Sequence, residues 1–158
     1  MSAMTRLRKT QFIPFLDVSG TGGASPAWKR IDLSTIFELD AGVQTGTMDY
    51  ISYETPVTEI IGYAPRLPQE IALYQGNAVY DFVSELFYRL PVGAEAKVPA
   101  LICFGGSERR AWRVDDCVLE LGALNAVEGR IRFTLRLGGD IVRGTYALSN
   151  GAPAFQAE

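Results

Sequence analysis

The sequence predicts a mainly β chain carrying one flanking α-helix, at about 77–90, behind a long loop at about 40–64. Three observations predict it. Apolar and polar residues alternate with period two over several runs, a single segment shows the helical period, and clusters of Gly, Pro, Asn and Asp punctuate the rest. At 158 residues, 47% hydrophobic and 21% charged, the chain suits one globular domain spanning 1–158. Its ends, 1–10 and 150–158, show no pattern and are expected to be loose.

Gln11 to Val18 reads as a short strand that Pro14 marks as an edge. The Gly-rich run from Ser19 to Pro26 reads as a flexible loop. Ile31, Leu33, Thr35, Phe37 and Leu39 alternate with Asp32, Ser34, Ile36 and Glu38, which predicts a half-buried strand. Between Asp40 and Ala64, turn residues surround Met48, Tyr50, Ile51 and Tyr53, so a hairpin or long arm is expected. Val57–Ile61 within it has the β-branched character of a strand. Arg66 to Tyr74 alternates again, with Pro68 placing it at an edge or bulge. Asn77 then caps a helix whose buried face is Val79, Phe82, Val83, Leu86, Phe87 and Leu90. Glu85 and Arg89 pair one turn apart, and Pro91 stops it. Lys97–Phe104 is apolar on both faces and reads as a central strand. The phase change after Trp112 and Val114 predicts a β-bulge at Asp115-Asp116. Ile131–Leu137 and Ile141–Leu148, joined by Gly138-Gly139-Asp140, read as a hairpin.

Composition narrows function. The formal net charge is -3, so the basic excess that grips phosphates is missing. There is no histidine, which removes the commonest general base and transition-metal ligand. Cys103 and Cys117 sit in apolar strands and read as buried free thiols of a reducing compartment. No signal peptide or membrane-length apolar run is apparent, so a chain made in the cytoplasm is expected. Asp115-Asp116 would point to opposite faces of a strand and make a poor metal or acid/base pair. Gly20-Thr21-Gly22-Gly23 lacks the Gly-Lys-Ser/Thr ending and helix of a phosphate loop. No catalytic, cofactor-binding or metal-ligating residue emerges, and no enzyme activity is expected.

Two features point instead to association. Large groups at Met48, Asp49, Tyr50, Ile51, Tyr53 and Glu54 occupy a loop, where they would be a liability in a monomer. Tyrosine is also enriched at interfaces. Arg130, Arg132 and Arg136 form a stripe on one strand face. It reads as a wet polar face, as an anion-binding stripe, or as a contact to acidic groups of a neighbouring subunit.

Several phrases resemble the major tail tube protein of long-tailed bacteriophages. They are Phe12-Ile13-Pro14-Phe15-Leu16-Asp17-Val18, Trp28-Lys29-Arg30-Ile31, Asp49-Tyr50-Ile51, Tyr63-Ala64-Pro65 and the stretch from Tyr74 to Asp81, followed by the hairpin ending at Gly144. The resemblance implies a β-sandwich or barrel-like domain that forms hexameric rings, stacked into a hollow tube through which a phage genome passes without specific binding. It implies that the loop at about 40–64 reaches the adjacent ring, with Met48–Glu54 in contact, while the arginine stripe faces a neighbour or the outside. It also implies partners among other tail proteins (tape measure, tail tip or baseplate, possibly a sheath), no cofactor, no membrane, and a place in the virion tail after synthesis in the host cytoplasm. A bacteriocin or injection-system tube, a tail-completion or neck ring, and a small-ligand-binding β-barrel are the alternatives.

Overall fold

A computed structural model describes residues 3–19 and 26–158; residues 20–25 of the expected Gly-rich loop lie outside the described residues. The elements run β1 (Ile13–Asp17), β2 (Trp28–Arg30), β3 (Val43–Met48), β4 (Val57–Tyr63), β5 (Arg66–Ala72), α1 (Ala78–Arg89), β6 (Ala100–Cys103), β7 (Arg110–Val114), β8 (Val118–Asn125), β9 (Arg130–Arg136), β10 (Ile141–Ser149) and β11 (Ala152–Ala157). The fold is mainly β with one helix, as the sequence predicts. Six strands form one sheet in the order β11-β10-β7-β6-β1-β2, three form a second in the order β5-β9-β8, and β3 and β4 pair only with each other.

The central position of β6 follows from its two apolar faces. Ala100 and Ile102 join the main core, which also holds Leu67, Ile71, Val79, Val83, Ile131, Phe133 and Leu135 between the two sheets and α1. Leu101 and Cys103 join a second cluster with Ile13, Phe15, Ala111 and Tyr146, against which Trp28 and Phe155 pack. The edge strands β2 and β11 approach each other, so the six-stranded sheet curls around this second cluster.

The helix is built as its pattern indicates. The Asn77 side chain accepts from the backbone N–H groups of Val79 (3.0 Å) and Tyr80 (3.2 Å), and Arg89 donates to Glu85 at 2.8 Å. Leu90 departs from expectation. It takes a left-handed conformation as the C-cap, which turns its side chain out of helical phase and leaves it exposed.

Five further expectations are corrected. Ile31–Leu39 is not a strand: it runs beside β5, touching it as isolated bridges at Ser34–Ile71 and Asp40–Arg66. Those two pairs are one residue out of step, and Pro68 between them has no N–H to keep the ladder going. The buried Gln69 amide fills part of the gap, donating to the carbonyls of Ile36 (3.1 Å) and Pro68 (2.8 Å). Pro14 does not mark an edge, because β1 lies between β6 and β2. Its carbonyl accepts from the Ile31 N–H beyond the end of β2, so its ring nitrogen faces the side where the ladder has already stopped.

The other three corrections concern the second half of the chain. Asp115-Asp116 is a corner, not a bulge, carrying the chain from β7 in the large sheet to β8 in the small one. The segments either side of Gly138-Gly139-Asp140 do not form a hairpin. Strand β9 pairs with β5 and β8, whereas β10 pairs with β7 and β11. The C-terminal segment is not loose: β11 pairs with β10 from Ala152–Ser149 to Ala157–Gly144. Gly144 is required there, since a Cβ would collide with the Gln156 carbonyl and the Phe155 ring.

Candidate assembly surface

The residues from 57 to 72 make an almost continuous path, β4 leading through Ala64-Pro65 into β5. Its antiparallel partner chain is tied at Asp40–Arg66 and at Ala64–Gly42, where the Ala64 N–H donates to the Gly42 carbonyl at 2.8 Å. Gly42 has φ +60°, and a Cβ there would collide with the Ala64 carbonyl, so only glycine closes the root this tightly. From that root β3 and β4 continue as a two-stranded ribbon from Val43–Tyr63 to Met48–Val57.

Directly opposed residues of an antiparallel pair share a face. One face of the ribbon therefore carries Val43, Thr45, Thr47, Thr58, Ile60 and Tyr63. It bears no charge and continues the alternation of Leu67 and Pro65, which are buried. Beyond Pro65 the core has ended, and Val43, Ile60 and Tyr63 are half or more exposed. A two-stranded ribbon is marginal by itself in water. This one presents an apolar face that is half or more exposed at Val43, Ile60 and Tyr63.

Of the residues singled out in the loop, Met48 ends β3, and Asp49, Tyr50, Ile51, Tyr53 and Glu54 form the tip. All six are exposed, Ile51 completely. Tyr50 and Tyr53 meet edge to face with centroids 6.3 Å apart, and the Tyr53 N–H closes the turn on the Tyr50 carbonyl. The structure thus brings the tip residues together and holds them away from the core. The sequence places Ile60 and Ile61 in a strand, but the candidate contacts it offers are those of the tip, not the stalk residues Val43, Ile60, Ile61 and Tyr63, whose exposure depends on where the core ends.

The arginine stripe lies on the solvent-facing side of the β5-β9-β8 sheet and is paired within the chain. Glu70, with 16% of its side chain exposed, bridges Arg130 (3.4 Å) and Arg132 (2.9 Å). Glu120 accepts from Arg136, and Asp40 accepts from Arg66 at 3.3 Å. Hydrogen bonding from Arg136 holds the Glu120 carboxyl below its ordinary range and raises the guanidinium in turn. The Gly42 N–H, helped by Arg66, does the same for Asp40. These carboxylate partners, up to sixty-two residues away in sequence, were the functional residues that spacing along one strand could not reveal.

Chemistry elsewhere is sparse. Among the described residues no group of three or more His, Cys, Asp or Glu side chains is placed to hold a metal. Burial pushes the thiols of Cys103 and Cys117 up to about 12, so neither is a nucleophile at neutral pH. Among the described residues no helix is long and apolar enough to cross a membrane.

No family model matches the chain, and no curated protein matches it. Solved structures do. A chain in the extended-state structure of the PVC sheath/tube terminator of an extracellular contractile injection system superposes with a TM-score of 0.53 at 10% identity, covering 90% of this chain and 99% of that one. A chain of the anti-feeding prophage tube-terminating cap gives a TM-score of 0.52 at 15% identity, covering 92% and 95%. The fold is one found in contractile injection particles. At these identities the likeness is one of fold, and it runs nearly end to end in both chains.

Proposed function

We propose that this protein is a structural subunit of a phage-tail-like tube, assembling through its free strand edges into closed rings, six-membered as in tail tubes, with no catalytic role. The observation that carries the reading is the arrangement of edges. Across the small sheet and its ribbon the order is β3, then β4 running into β5, then β9, then β8, each antiparallel to the next. The outer edges are therefore β3 on one side and β8 on the other, and they run in opposite directions. Copies related by rotation about an axis roughly along the strands would bring β8 of one against β3 of the next in antiparallel register. This is a head-to-tail contact that closes into a ring and pairs both outer edges of the small sheet and its ribbon. It would also cover the apolar face of the ribbon. The likeness in fold to components of contractile particles supports the same reading.

Within it, Met48–Glu54 at the ribbon tip are inter-ring contacts, and other tail proteins (tape measure, tail tip or baseplate, possibly sheath) are the partners at the tube's ends and wall. The particle would be a virion tail, with a genome as the cargo of its channel. The second reading is a ring that ends a tube and does not stack. It is favoured by two of the structures matched, a sheath/tube terminator and a tube-terminating cap. Negative-stain microscopy of concentrated purified protein separates the two: stacked tubes with sixfold end views are expected, single rings would favour the terminating role, and a persistent monomer would overturn both.

A further inference from the structure

We infer that the solvent-facing side of the β5-β9-β8 sheet is a charge-masked surface. On it Glu70 and Glu120 hold the guanidinium groups of Arg130, Arg132 and Arg136 so that duplex DNA passing over it finds no free basic stripe. The inference rests on the ring reading for its location and on the subunit alone for its chemistry.

The location follows from which side of the sheet is occupied. Leu67, Ile71, Ile131, Phe133, Leu135 and Leu119 face the main core, behind which lie α1 and the large sheet. If the small sheets join edge to edge, that bulk is on the outside of the ring and the opposite face lines the channel. The sequence expectation that the arginines face a neighbour or the exterior then gives way.

The chemistry follows from the pairing. Register places Glu70 opposite Arg132, Ala72 opposite Arg130, and Arg66 opposite Arg136. Four guanidinium groups, with Arg66, meet the three carboxylates Asp40, Glu70 and Glu120. The two exposed pairs, Arg66–Asp40 and Arg136–Glu120, add only about 0–1 kcal/mol each to stability, so folding gives little reason for them on this face. Their effect on a polyanion is larger. Each arginine free to meet a phosphate releases a counterion and adds about -0.9 to the slope of log affinity against log salt. Arginine stems meanwhile cover the sheet. The surface keeps that cover while every guanidinium head is held by a carboxylate, which reduces the charge of the face from four positive groups to a net one.

The test uses short duplex DNA, fluorescence anisotropy and the full chain. E70Q/E120Q releases three arginines while preserving side-chain shape. It is expected to bind DNA at least tenfold more tightly than the unsubstituted protein at low salt, with a slope of about -3 for three phosphates. E95Q/E158Q changes net charge by the same amount just after α1 and just past the end of β11, away from this face and at carboxylates outside the ion pairs above, and is expected to leave binding unchanged. Equal binding by the two double variants would overturn the masking, as would tight binding by the unsubstituted protein. Thermal melting checks that both variants fold. In assembled E70Q/E120Q rings, electron microscopy should find DNA density in the channel, and density confined to the outer wall would overturn the location. Absence of rings would count against the ring reading alone, because the anisotropy measurement needs no assembly.

Discussion

At the scale of single residues, the chain separates groups that hold the fold from groups left for a partner. Asn77 belongs to the first kind: it satisfies two backbone donors that the helix cannot. Asn77→Ala should lower unfolding free energy by about 1 kcal/mol in chemical denaturation. Cys103 and Cys117 are also of this kind, but their burial has a pH consequence. Both thiols are raised from 9.0 to about 12 in the folded chain, so the folded state keeps protons that the unfolded chain releases. Stability should hold below pH 9 and fall as pH rises from there towards about 12. Thiol-labelling reagents at pH 8 should react slowly with the native protein and rapidly with the denatured one; fast native labelling would contradict the burial. Neither cysteine needed the structure to be recognised, since both lie in apolar runs of the sequence.

At the scale of elements, α1, β5 and β6 were legible because each carries its own signal: a helical period with a cap, an alternation, and a two-faced apolar run. Strand β11 was not. Ala152–Ala157 has little alternation, and it is a strand because β10 offers it an edge and Gly144 opens room for the Phe155 ring. Phe155→Ala should therefore destabilise the chain by about 2 kcal/mol, which a segment without contacts would not do. The ribbon behaves oppositely. Its root already closes between Gly42 and Ala64, so removing residues 43–63 and joining these two should leave a domain with a native-like melting transition that no longer forms rings or tubes. Assembly by the deleted chain would show that the ribbon is not the contact.

At the scale of the whole molecule, one face of the small sheet makes the core and the other is wet, while the ribbon extends both faces beyond the body. Ile60→Lys combined with Tyr63→Lys tests what that extension is for. Both residues are well exposed in the subunit, so stability should change by less than about 1 kcal/mol. Assembly followed by light scattering or microscopy should be lost. Retained assembly would place the interface elsewhere. The arginines illustrate why a strand read alone misleads at this scale. Their spacing on β9 is visible in sequence, but Glu70 on β5 and Glu120 on β8 cancel them from neighbouring strands.

The sequence by itself determined the mainly β class, the single helix and its cap, the central strand, and a protruding hairpin with aromatic residues at its tip. All of these are local, set by the period of apolar residues and by turn chemistry within a few positions. Only the tertiary structure decided which strands pair. It made Asp115-Asp116 and Gly138–Asp140 corners between two sheets, turned Ile31–Leu39 from a strand into a tether interrupted opposite Pro68, and recruited the C-terminal segment. Strand pairing joins residues far apart in the chain, and its choice depends on which edges remain free once the core has formed. No window of sequence contains that information.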